Sequence, residues 1–151
     1  MIPELQKIVQ HAQAMARKRV MVGVPSNEAA RTDAANNAML ALIHDRGSPA
    51  RNIPARPFLQ PGVEAALPKV EALLKRHAAN ALDGAAIDAG LEAAGLAAQA
   101  SVKNYIRAGE HFAPLSPRTI EARKRRGFQG EKPLIETGQL INSITYVIRE
   151  R

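Results

Sequence analysis

The chain has 151 residues, 46% of them apolar but only 3% aromatic, and no cysteine. That allows one domain with a modest core and excludes disulfides and thiolate metal sites. Net charge is +7, of which the segment from Lys103 to Lys132 supplies +5 through eight basic residues against three acids. A charge this local points to a polyanionic or acidic partner, or to a solvated loop.

No run approaches the roughly 18 apolar residues of a membrane span. Met1 to Lys7 lacks the basic-then-apolar pattern of a secretory signal. A protein made and used in a cytoplasm, away from membranes, is expected. The apolar content is mostly alanine, which favours helix but buries little surface per residue. Close helix packing and support from neighbouring subunits follow as expectations.

In chain order, Leu5, Ile8, Val9, Ala12 and Ala16 recur at helical spacing and predict a helix over 4–17. Residues 19–24, β-branched and stopped by Pro25, predict a strand. A polar loop over Ser26 to Thr32 precedes a helix over 34–46, with Asp33 as N-cap and Gly47 as a left-handed terminator. Three prolines in the ten residues from Ser48 to Pro57 make 48–61 a stiff, extended arm.

Helices follow over 62–80, with a kink or restart at Pro68, and over 85–108 after a break near Asp83 and Gly84. Gly90, Ala93, Ala94 and Gly95 would let another helix approach the second of these closely. The region 110–138 is expected to be a basic loop region, in which Ser116 caps a short helix leading into Arg123 to Arg126. Residues 140–149 alternate partly and predict a strand that pairs with 19–24. The expected fold is a single α+β domain spanning 1–151. A small, mostly antiparallel sheet from the N- and C-terminal strands packs with two or three longer helices.

Three ordered blocks resemble the tail completion or tail terminator family of lambda-like and Mu-like bacteriophages, whose members are also called minor tail components or virion morphogenesis proteins. The first is Val20 to Pro25 with the helix ending Ala41 to Gly47. The second is Ile53 to Pro61. The third is Pro114 to Ile120, followed by Lys132 to Leu140 and Ser143 to Tyr146. Arg46 and Gln60 depart from the family pattern, where an acid and a base are usual.

The resemblance implies a structural protein of the virion, one subunit of a homo-hexameric ring at the head-proximal end of the tail. Such a ring terminates the tail tube and joins it to the head connector or stopper protein, with genomic DNA passing through it. A head-side stopper ring, or a basic nucleic-acid-binding module using 103–132, are the alternatives.

Physically, a ring is heterologous, so each subunit offers two different faces. A pre-ordered arm and a sheet edge suit such contacts. The interface candidates are Arg51, Ile53, Arg56, Pro57, Phe58, Ile144 and Tyr146, although Phe58 is better read as an anchor to the core. Arg118, Arg123, Lys124, Arg125 and Arg126 are the candidates for a DNA channel or for stacking on a neighbouring ring.

No catalytic constellation emerges, and no enzyme activity, metal or cofactor is expected. His44 and Asp45 are adjacent on a helix, so their side chains point about 100° apart and do not converge. His11, His77 and His111 are scattered, and no serine sits in a strand–turn–helix setting.

Overall fold

The computed structural model describes residues 2–26, 36–80 and 84–151. Its elements in order are α1 (Pro3–Ala16), β1 (Lys18–Gly23), α2 (Asn37–Arg46), a short 3-10 turn (Pro49–Arg51), α3 (Leu59–Ala79), α4 (Gly84–Ala108), α5 (Pro117–Arg125), α6 (Gln139–Ser143) and β2 (Thr145–Glu150). The fold is α+β. β1 and β2 pair antiparallel, from Lys18 opposite Glu150 to Gly23 opposite Thr145, and so join the two ends of the described chain.

A two-stranded sheet is marginal by itself, and here it lies on α4. Val20 and Ile148 pack with Ile87 and Leu91 of α4, Leu74 of α3 and Met15 of α1. The Tyr146 ring covers Gly95, where even a Cβ would collide with it. The antiparallel pairing and its strand partners are as the sequence predicts.

The larger core gathers Ala41, Phe58, Val102, Ile106, Phe112, Leu134, Leu140, Ile141 and Ile144. It sits where α2, the start of α3, the end of α4 and α6 meet. α3 and α4 approach so closely that a Cβ on Gly62 would stand 2.7 Å from the Val102 Cα. Small residues let the helices touch along their backbones, as the alanine-rich composition implies.

Four expectations change. The helix predicted over 34–46 begins at Asn37, and its cap is Asn36, whose side chain accepts from the Met39 amide at 2.8 Å. Asp33 and most of the loop placed over 26–32 lie outside the described residues. Pro68 does not restart the helix, because α3 runs through it. It and Glu64 are exposed, so water can serve the carbonyl that loses its donor.

The strand predicted over 140–149 begins only at Thr145, because Gln139–Ser143 turn as α6. Leu140 and Ile141 are buried side by side. A strand, which alternates its faces, could not bury both in one core.

The extended arm over 48–61 is instead a folded clip. Ser48 and Ile53 exchange both backbone hydrogen bonds, at 2.9 and 3.0 Å, and Asn52 is left-handed. Gly47 is required twice at its base. Its φ is +77°, and a Cβ there would lie 2.7 Å from the Ala55 nitrogen. From Leu59 onward the arm is already α3.

Candidate functional site

The clip and the basic segment come together along one groove of about 870 Å³, lined among others by His44, Arg56, Ser116, Arg123, Arg126 and Glu136. Asp45 fastens its rim, with Oδ1 accepting from the Phe58 and Leu59 amides at 2.9 and 3.3 Å. That caps α3 from another helix and places negative charge at its positive end. The His44 carbonyl accepts from the Arg56 amide at 2.8 Å. The His44–Asp45 pair therefore ties α2 to the start of α3.

Two arginines hold the groove from within, each residue only 5% exposed. Arg56 donates to the carbonyls of Ala113 and Pro114, at 2.7 and 3.0 Å. Burial pushes its pKa below the ordinary value, and the nearby Arg123 cation adds to that. Arg123 Nη1 donates to the carbonyls of Gly130, Lys132 and Ile135, at 3.1, 2.9 and 2.8 Å, and its Nε lies 3.7 Å from Glu136. The loop from Arg126 to Glu136 is folded around this one side chain. Ser116 caps α5 as expected, with Oγ accepting from the Thr119 amide at 3.2 Å.

These contacts revise the list of candidate surface residues. Arg56, Phe58 and Ile144 are buried in their own chain, because guanidinium-to-carbonyl bonds and core packing already occupy them. Ile53 is half-buried and bonded to Ser48. Tyr146 is half-buried on Gly95, and its hydroxyl donates to Glu92 at 3.0 Å, which raises its pKa. Arg51 and Pro57 are exposed.

Of the basic candidates, Arg118 is exposed and Arg123 is not. Each member of the run meets an acid: Arg123 and Arg126 meet Glu136, Lys124 meets Glu131 and Arg125 meets Glu121, at 2.7 to 3.7 Å. The run itself is thus largely balanced, and the excess charge of the segment rests on its other cations, Lys103, Arg107, Arg118 and Lys132.

An exposed apolar surface lies elsewhere. α1 buries none of its 14 residues, and Leu5, Ile8 and Val9 are 50, 48 and 42% exposed at helical spacing. On α2, Met39 and Leu42 are exposed three residues apart. Periodicity finds the first stripe but cannot say that it stays exposed among the described residues. Among the described residues, no three His, Asp or Glu side chains are grouped as a metal would need, and no helix is long and apolar enough to cross a membrane.

Compared with known proteins, the chain matches no family model, no curated protein and no solved structure.

Proposed function

We propose that the chain is a structural, non-catalytic subunit of a homo-hexameric ring in a bacteriophage virion. The ring stands at the head-proximal end of the tail, where it stops growth of the tube and meets the head connector. The observation that carries the assembly is the uncovered apolar stripe of α1. An amphipathic helix of 14 residues that buries none of them gains most of its stability from packing its apolar face. A contiguous exposed apolar patch marks an interaction surface.

A closed ring needs a second, different patch on each subunit, and Met39 with Leu42 on α2 supplies one. The two patches have different surroundings, since α1 packs on β1 and α4 whereas α2 packs on α6. The phage setting rests on the three ordered sequence blocks. Within the fold, the second block runs from Ile53, the closing residue of the clip, into α3, and the third includes part of the loop around Arg123 and the start of α6.

The alternative of a basic module acting through 103–132 is weakened by the acids that meet Arg123 to Arg126. The size of the particle in solution tests the ring, and an exclusively monomeric protein would overturn it.

A further inference from the structure

The cations of the β1–β2 ribbon are distributed unevenly between its two faces. Side chains alternate along a strand, so Lys18, Val20 and Val22 share a face with Glu150, Ile148 and Tyr146. That face lies on α4, where Lys18 Nζ meets Asp88 at 2.5 Å and Tyr146 reaches Glu92. The other face carries Arg19 opposite Arg149 and Met21 opposite Val147, all four exposed.

Pairing continues past the strand ends. The Arg151 amide donates to the Arg17 carbonyl at 2.7 Å, which brings two more exposed arginines to the same end of the ribbon. Among the described residues none of these four arginines has an acidic partner. Glu150, the one acid in either strand, belongs to the α4 face.

Like charges directly opposite on a ribbon repel each other. Among the described residues no acidic side chain pairs with these cations, so the face is open to an anionic ligand from outside. Such a ligand must present several negative charges closely spaced. Same-face residues on a strand are about 6.8 Å apart and cross-strand neighbours about 5 Å apart, so the cations form one compact block. Duplex DNA offers a phosphate charge for every ~1.7 Å of axis, and a two-stranded ribbon fits its major groove. Arginine suits phosphate through its planar fork of donors.

We propose that the Arg19–Arg149 face of the ribbon binds the phosphate backbone of duplex DNA, without reading sequence. The surface is distinct from the run Arg123 to Arg126. The proposal goes beyond the ring assignment and does not depend on it, since binding is measurable in whatever oligomer the protein forms.

The test is fluorescence anisotropy of the full chain with a random-sequence duplex across a salt series. Binding should weaken steeply with salt. R19A/R149A should weaken it roughly tenfold at low salt and reduce the log–log salt slope by about 2, at ~0.9 per phosphate contact. K124A/R125A should leave affinity and slope unchanged. Thermal melting of each variant separates loss of binding from loss of fold, because both pairs are exposed. No binding by the parent chain at low salt, or an unchanged slope in R19A/R149A, would overturn the proposal. So would tighter binding of poly-L-glutamate than of the duplex at equal charge and salt, which would assign the face to acidic polypeptide instead.

Discussion

Arg123 shows how one side chain can stand in for a missing element of secondary structure. Three carbonyls from a loop without helix or strand converge on the Nη1 of this buried side chain, which ties the loop down where no backbone ladder does. R123A removes the carbonyls' shared donor, while Glu136 keeps Arg126, so we expect it to cost on the order of 2 kcal/mol, read from the midpoint of urea unfolding. R125A removes only an exposed i,i+4 pair and should stay within about 0.5 kcal/mol. Sequence alone cannot rank these neighbours, because a run of four cations looks uniform until the chain folds around one of them.

A second residue-scale consequence concerns Tyr146. Its hydrogen bond to Glu92 favours the protonated phenol, so the folded-state pKa is raised above the ordinary value. The stabilisation is therefore present below the unfolded pKa of about 10 and is lost as pH rises through the raised one. Glu92→Gln should lower the Tyr146 titration midpoint, followed by phenolate absorbance. An unchanged midpoint would mean that the contact does not persist in solution.

Among the elements, the long helices and both strands were legible because each carries its own period. α6 was not legible. The run Leu140-Ile141-Asn142-Ser143-Ile144 has a strand-like composition, and only the core that takes both Leu140 and Ile141 decides for a helix. The clip was misread for a related reason. Prolines predict stiffness, but they do not show that Ser48 and Ile53 pair across a left-handed Asn52.

The α1 stripe is the element on which the proposed assembly turns. Leu5→Asp with Ile8→Asp places charge at two exposed positions of α1, away from Met15, through which the helix meets the sheet and α4. The double variant should keep its helical circular dichroism and its melting temperature as a monomer while losing the oligomer. An oligomer of unchanged size would move the interface away from α1.

At the scale of the whole molecule, the sequence and the fold locate the positive charge differently. Composition points to 103–132 because the cations there are close in sequence. Folding meets Arg123 to Arg126 with acids and creates a new cluster from Arg17, Arg19, Arg149 and Arg151, which only the antiparallel register unites. No sequence window could contain both halves of that cluster. The fold class needs only local patterns and the two end strands, and it was legible. The candidate surfaces depend on what the rest of the chain covers, and they were not.

The central claim is that this subunit completes its packing only in a closed ring, and native mass spectrometry of the purified full chain tests it most directly. The account predicts a dominant species of roughly 98 kDa, six copies of the 16.3 kDa chain, that persists on dilution. A 16.3 kDa monomer at every concentration, or an open-ended ladder of oligomers, would contradict it.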